Sequence, residues 1–573
     1  MTNADIARVM REIAVFLDME GVQFKPRAYE KVAYAIEAVE EPIADIYKRG
    51  GIEAVEEIPG VGKSIAEKIV TLIETGKLPY YEELRKKTPV DVAGLTGIEG
   101  LGPKNIKTLY QELGVRTVAD LEKAALAGKI RELPHFGEKS EQKILKGIGF
   151  LKQRSGRFPL GAVLPLISDI EARLGQLPGV QRVAIAGSVR RRKETVGDAD
   201  ILVIAKKADA VMDFFVAMPE VVHVHGKGQT KSSVKLNTGM DVDVRVVPAG
   251  SFGAALSYFT GSKDHNVALR RIAIEKKLKL NEYGVFRGAR SIAGTTEQEV
   301  YEVLGLPYIP PELREDTGEI EAAQAGKLPM LIGYDDLRGD LQTQTTWTDG
   351  ANSIEEMAAE AQRLGREYIA ITDHTKGLAM MGADEKQLHQ QMKAIDKLNK
   401  RLEGFTILKG AEVNINKDGT LDIADETLAQ LDVVGVAVHS HFNLSRAEQT
   451  RRVVRAMENP HADILFHPTA RVIQKREPID LDIDAVIAAA QRTGTILEVD
   501  AYPERLDLKD EHVRKAIEAG VKLAIDTDAH SVHHLGYLHF GIATARRGWA
   551  TRADVVNTLP LRGFLKSLKG ARP

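Results

Sequence analysis

Residues 183–205, Val183-Ala184-Ile185-Ala186-Gly187-Ser188-Val189-Arg190-Arg191-Arg192-Lys193-Glu194-Thr195-Val196-Gly197-Asp198-Ala199-Asp200-Ile201-Leu202-Val203-Ile204-Ala205, decide how the rest of the chain is read. VAIAGS (183–188) and ADILVIA (199–205) read as strands joined by a cationic turn. Asp198 and Asp200 stand two apart where the second strand opens, so both carboxylates project to one face. Two carboxylates side by side repel one another unless a divalent cation neutralises them. Their hard oxygens suit Mg²⁺ or Mn²⁺. Ser188 and the arginines can hold phosphate oxygens, and the Gly-Ser turn offers backbone N–H donors. Together these parts describe phosphoryl or nucleotidyl transfer with two metals clamping the attacking and leaving oxygens. A third acid is needed. Asp241 and Asp243 both lie on the next strong strand, MDVDVRVVP (240–248), and spacing alone does not choose between them.

Upstream, one segment recurs three times: Ile58-Pro59-Gly60-Val61-Gly62-Lys63, Ile98-Glu99-Gly100-Leu101-Gly102-Pro103 and Leu133-Pro134-His135-Phe136-Gly137-Glu138. Each reads as a tight glycine turn followed by an amphipathic helix. The turn lets backbone N–H groups approach an anion, and the helix N-terminus adds positive potential. A phosphodiester backbone is the natural ligand, contacted without reading sequence. The segment resembles the helix-hairpin-helix motif of sequence-independent DNA-binding proteins, which makes Gly60, Gly62, Gly100, Gly102 and Gly137 the expected DNA phosphate contacts. The third copy departs, with His135 in place of the first glycine.

The charge map fits a polyanion partner for the middle of the chain. Residues 101–300 carry a net +11, residues 1–100 carry −5, and residues 301–573 carry −9, within an overall −3. At 573 residues the chain is long enough for three to five domains. With 43% hydrophobic and 28% charged residues it is not a largely disordered chain. It has no cysteine, which excludes a disulfide scaffold, cysteine-ligated zinc, an iron–sulfur cluster and a thiol nucleophile. Aromatic residues are 5%, too few for broad base-stacking platforms. No signal peptide or membrane-spanning run is expected, so the chain reads as a cytoplasmic protein without membrane partners, and as a monomer by default.

Downstream, residues 307–326 are proline-bearing and acidic and read as an inter-domain linker. Beyond them, the runs EYIAI, ILKGA, VVGVAV, DILF, TILEV and KLAID alternate with helical stretches, the pattern of a parallel α/β barrel. Polar residues close these strands: Asp373-His374, Glu412, His439, His467, and Asp528 with His530. Ligands at strand C-termini are how such a barrel builds an active site. Histidine with carboxylate suits Zn²⁺, Mn²⁺ or iron.

GSVRR, GDAD, DVRVVP and YFTGS (258–262), with Asn266 four residues on, resemble the family X DNA polymerases, the group that contains the small eukaryotic base-excision-repair polymerase. The likeness runs over about residues 1–290. It implies that Asp198 and Asp200 bind both metals and that Asp243 is the third catalytic acid. It implies a triphosphate site at Gly187, Ser188, Arg191 and Gly197. Tyr258, Phe259, Thr260 and Gly261 match the segment that crowds the sugar 2′ position. Asn266 and Arg270 match minor-groove contacts, while Lys263 stands where several relatives carry an acid. Lys68 matches a Schiff-base lysine of a deoxyribose-phosphate lyase site, with Lys63 as a neighbouring cation able to lower its pKa; Phe24 replaces a phosphate-binding histidine there.

The C-terminal ligand order resembles the PHP (polymerase and histidinol phosphatase) domain. This implies a trinuclear metal site of Asp349, His374, Glu412, His439, His467, Asp528 and His530, holding Zn²⁺ or Mn²⁺ and acting as a 3′→5′ exonuclease or related phosphoesterase. The family's His-x-His pair is Gln342-Thr343-Gln344 here, and an amide is a far weaker ligand than imidazole, so at least one metal position is expected to be weakened or lost.

The expected architecture is therefore multi-domain: α-helical helix-hairpin-helix domains (1–85 and 86–155), an α+β nucleotidyltransferase palm (156–250), a thumb-like nucleotide-selecting domain (251–306), the linker (307–328) and a distorted TIM-like PHP barrel (329–573). The expected activity is template-directed addition of dNTPs to a primer on gapped or primer-template DNA, for short-gap filling in repair. The alternatives are a template-free or RNA-tailing nucleotidyltransferase and a non-catalytic DNA-end scaffold.

Overall fold

A computed structural model describes residues 1, 3–39, 41–98, 101–153, 156–377 and 382–569. In the first helix, Asn3–Glu20, the residues Ile6, Met10, Ile13 and Leu17 recur every three to four positions. They form one buried stripe against the Lys25–Ala38 helix. The first hairpin joins helices Ile43–Glu56 and Lys63–Thr75 through Gly60, whose φ of +80° an L side chain rarely adopts. The second leads through Gly102 into Pro103–Leu113; Gly100 lies outside the described residues. In the third, His135 adopts φ +67°, close to the angle of Gly60, before the Glu138–Gln153 helix. The missing glycine has therefore not changed the shape of the turn. It only adds the cost of a left-handed non-glycine residue, about 1–2 kcal/mol.

Five strands form the next sheet: β1 (Val180–Ile185), β2 (Asp198–Ala205), β3 (Val221–Lys227), β4 (Lys231–Leu236) and β5 (Asp241–Val246). Their order is β1-β2-β5-β4-β3, with β2 and β5 parallel and the other pairs antiparallel. Ala199, Ile201 and Val203 of β2 bury one face against helices Leu160–Gly175 and Ala208–Val216. Leu202 faces the other way, onto the Phe252–Thr260 helix. Asp198 and Asp200 share the parity of Leu202 and so open onto that second face. The strand expected over 183–188 ends at Ile185, because Gly187–Arg190 turns into a short helix. The thumb-like region expected over 251–306 contains, beside its helices, a three-stranded antiparallel sheet at residues 279–293.

Residues 307–328 are not an open linker. Arg314 is fully buried. It pairs with Glu297 at 2.5 Å and lies 5.1 Å from the ring centres of both Tyr301 and Tyr308. Ile309, Leu313, Ile320 and Ala323 join the core that the Lys263–Glu275 and Glu297–Val303 helices bury. The acids that gave the segment its linker-like composition are ion-pair partners: Glu312 with Arg546, Glu315 with Arg191 and Arg547, and Glu319 with His265.

The C-terminal domain is a nearly closed parallel barrel of seven strands in sequence order: β6 (Gly339–Thr343), β7 (Tyr368–Ile371), β8 (Thr406–Asn414), β9 (Val433–Ala437), β10 (Ile464–Leu465), β11 (Ile496–Asp500) and β12 (Leu523–Asp526). Between β6 and β12, Gln344 N donates to Ala529 O (2.7 Å) and Leu341 N to the Asp526 carboxylate (2.8 Å). The barrel sits against the palm. Ile473, Leu506 and Phe540 complete the palm's apolar core, and Arg471 pairs with Glu194 at 2.8 Å. Among the described residues, no helix is long and apolar enough to cross a membrane.

Candidate active sites

In the palm, the parallel pairing of β2 with β5 sets Asp198 opposite Asp241 and Asp200 opposite Asp243. Pleat alone therefore puts all four acids on one face, and their partners separate them. Asp241 is taken up by His225 and Lys235, both at 2.8 Å, and its pKa is held low first by Lys235. Asp243 meets Lys231 at 2.8 Å and Arg245 at 3.4 Å. Burial, then the charges of Asp198 and Asp243, push Asp200 up to about 6, with Arg245 and Lys231 opposing. Asp198, Asp200 and Asp243 thus form an acid cluster whose mutual repulsion a divalent ion would relieve, so these residues fit one.

Gly187 has φ +64°, a conformation that favours glycine, and a Cβ on it would crowd Asp200 Oδ2 at 3.2 Å. Ser188, the next residue, and Gly197 are both half-buried. Arg191 donates from Nε to Glu315 (2.9 Å) and from Nη1 to the Thr260 carbonyl (2.7 Å). Its neighbour Arg190 grips Glu297 through both terminal nitrogens, at 2.8 and 2.6 Å. Asn266 Nδ2 donates to the carbonyls of Tyr258 (2.7 Å) and Gly261 (3.2 Å), so it ties the YFTGS turn together. A Cβ on Gly261 would lie 2.9 Å from Asn266 Oδ1. Phe259 packs edge-on to Tyr258 with centroids 5.1 Å apart and lies beneath Arg245 at 4.6 Å. Arg270 donates to the Asn266 carbonyl (3.1 Å).

Lys68 Nζ donates to Ser64 O and Oγ, both at 2.9 Å, and lies 5.2 Å from the Tyr80 ring centre. Its pKa is lowered first by burial; the neighbouring cation that adds to this is Lys25, not Lys63.

In the barrel, Glu412 on β8 is the hub. Its Oε1 meets His439 Nε2 and His467 Nε2, both at 2.8 Å. Its Oε2 accepts from Gln342 Nε2 (3.0 Å) and Gln344 Nε2 (2.7 Å). Gln344 also donates to Asp528 at 3.2 Å. Among the described residues, two groups bring possible ligand atoms within 4.8 Å of one another: Asp349 with His374 and His530, and His374 with Glu412 and His439. Burial disfavours the Glu412 charge, but His374, His439 and His467 outweigh it and hold its pKa well down. Burial likewise opposes both members of the Asp349–His530 pair. Their attraction wins, taking Asp349 to about 2 and His530 to about 10.

The first group is a mixed oxygen and nitrogen set that fits a transition-metal dication. Around Glu412, two amide N–H groups occupy carboxylate lone pairs that a metal would need. Sequence reasoning missed Arg505, which lies 3.4 Å from both Asp528 and Asp500, and the buried acids Glu498 and Asp500. The alternation in TILEVD (495–500) was the available signal, with both acids on the face opposite Leu497 and Val499.

A palm acid cluster behind a Gly-Ser turn, preceded by DNA-type hairpins and followed by a His/carboxylate barrel, defines a nucleotidyltransferase joined to a metal-dependent phosphoesterase fold. The chain belongs to the family X DNA polymerases that carry a C-terminal PHP domain. It is 38% identical to the DNA polymerase/3'-5' exonuclease PolX of Bacillus subtilis (strain 168), over 99% of this chain and all of that protein. It is 26% identical to DNA polymerase lambda of Rattus norvegicus, over 55% of this chain and 56% of the other. It is 31% identical to a protein named "Probable phosphatase" from Thermoanaerobacter sp. (strain X514), over 38% of this chain and 89% of the other. Family models match a helix-hairpin-helix domain at residues 1–78, a SAM-like helix-hairpin-helix tandem at 92–149, the DNA polymerase beta thumb at 255–315 and a PHP domain at 340–490.

Proposed function

We propose that this protein is a DNA-templated DNA polymerase that fills short gaps in duplex DNA during repair. The observation that carries the reading is the convergence of Asp198, Asp200 and Asp243 from two adjacent parallel strands. Divalent ions held there, Mg²⁺ or Mn²⁺, would lower the pKa of the primer 3′-hydroxyl and neutralise the departing pyrophosphate. The chain's own part is to hold three carboxylates on one face, to keep Lys231 and Arg245 beside Asp243, and to leave Gly187 without a side chain where the triphosphate lies. Tyr258 to Gly261 form the sugar side of the nucleotide pocket, fixed by Asn266. The hairpin turns at Gly60, Gly62, Gly102 and Gly137 hold DNA phosphates. Extension of a primer across a one-nucleotide gap, with each dNTP in turn, tests this. Only the templated nucleotide should be added, and equal use of all four would exclude template direction.

A second activity, 3′→5′ exonuclease in the barrel, rests on the Asp349, His374 and His530 group, to which none of the described Gln342 and Gln344 donor bonds runs. It should depend on Mn²⁺ or Zn²⁺ and fall when His530 is replaced by alanine. Lys68, partly desolvated in the first hairpin domain, is the residue for an abasic-site lyase. Borohydride trapping on an incised abasic duplex, lost in Lys68→Ala, is the measurement that decides it.

A further inference from the structure

Arg191 of the palm is braced by the barrel. Arg547 ends the Leu538–Arg547 helix with its side chain only 6% exposed. Its Nη1 donates to Glu315 (3.1 Å), to the backbone carbonyl of Arg191 (3.0 Å) and to that of Glu312 (3.3 Å). Its Nη2 pairs with Asp510 at 2.7 Å. Glu315 in turn accepts from Arg191 Nε and lies 3.8 Å from Lys193. None of the described hydrogen bonds of Arg191 uses Nη2.

The charge balance gives this arrangement its meaning. A lone Glu315 against Arg191 would cancel the cation that a triphosphate needs. Here three cations, Arg191, Arg547 and Lys193, face two carboxylates, Glu315 and Asp510, so the cluster keeps a net positive charge. Glu315 can then fix the orientation of Arg191 without neutralising it.

We propose that Arg547 is a positioning residue for nucleotide binding in the palm: it holds Glu315 and the Arg191 backbone so that Arg191 presents Nη2 to the triphosphate. This rests on the reading of Arg191 as a triphosphate contact. It makes the barrel part of the polymerase site, independently of any hydrolysis the barrel performs.

The test uses the full-length protein on a one-nucleotide gap, with kcat and KM measured for the templated dNTP, KM for pyrophosphate in the reverse reaction, and affinity for the gapped duplex. Arg547→Ala should raise both KM values roughly tenfold, leaving DNA affinity unchanged and kcat within about twofold. Arg547→Lys should recover only part of the loss, because a single ammonium does not replace the two nitrogens with which Arg547 spans Glu315 and Asp510. If Arg191→Ala raises KM but Arg547→Ala does not, the positioning role is wrong while the triphosphate reading stands. If Arg191→Ala leaves KM unchanged, the triphosphate reading itself falls. A joint loss of DNA affinity, melting temperature and activity in Arg547→Ala, with no recovery in Arg547→Lys, would reduce Arg547 to an interface residue and overturn the proposal. Should Arg547→Ala not fold, Glu315→Gln carries the same test, with a severalfold rise in KM expected and an unchanged KM overturning it.

Discussion

Glu297→Gln isolates the worth of the buried charge cluster that joins the palm to the thumb. The substitution keeps the volume of Glu297 and removes only its charge. Two cations then lose their partner: Arg314, fully buried at 2.5 Å, and Arg190, at 2.6 Å. Burial disfavours the Glu297 carboxylate, but Arg314 and Arg190 outweigh it and hold its pKa at about 2, against an ordinary 4.5. At 1.36 kcal/mol per unit that shift is worth about 3 kcal/mol. The loss seen on breaking a buried pair, about 3–5 kcal/mol, agrees with it. Because the folded pKa lies below the unfolded one, this stability is fully present above about pH 4.5 and is lost as pH falls towards about 2. Urea titration followed by tyrosine fluorescence, from pH 8 down to pH 4, is the assay. The gap between wild type and variant should be flat from pH 8 to about 5 and begin to narrow below that. A variant that unfolds at the wild-type urea concentration at pH 7 would refute the account, as would a gap that widens on acidification.

The remaining predictions concern the two sites and the DNA path. Asp243→Asn should cut gap-filling by about a thousandfold or more, while Asp241→Asn, whose partners are His225 and Lys235, should cost less than about tenfold; primer extension separates them. Restoring imidazoles with Gln342→His and Gln344→His should raise Mn²⁺-dependent 3′-end digestion by about tenfold or more, and an unchanged rate would show that the two amides are not what limits the barrel. Affinity for a gapped duplex should drop by about tenfold or more between 50 and 200 mM salt; a flat response in a filter-binding titration would mean that the basic middle of the chain is incidental.

The palm was legible because its chemistry is local. Gly187-Ser188 and Asp198-x-Asp200 lie close in sequence, and the two-residue period of a strand fixes their facing. Spacing did not separate Asp243 from Asp241, because parallel pairing gives both acids an opposite number. What distinguishes the two in the fold is their partners, with His225 and Lys235 arriving on Asp241 from other strands. The barrel's first strand, β6, escaped because its interior is polar: Asp340, Gln342 and Thr343 are buried there and break the apolar run. The segment 307–328 was misread for the reverse reason. Its acids look solvated in sequence, and only the fold supplies Arg546, Arg547, Arg191 and His265 as their partners. Arg547 had no local signal at all, since it acts on groups distant in the chain; Arg505 meets Asp500 five residues away, but only the fold brings it to Asp528.

The stretch between the thumb and the barrel behaves as a strap rather than a tether. It faces the palm through Glu315, the thumb through Arg314 and Glu319, and the barrel through Glu312. A barrel severed at residue 329 would take Glu312 from Arg546 and Glu315 from Arg547, leaving Arg547 only Asp510, and would strip Ile473, Leu506 and Phe540 of the surface they cover. The barrel half is thus not a detachable accessory, and its behaviour in isolation would report on damage at the cut as much as on its own chemistry.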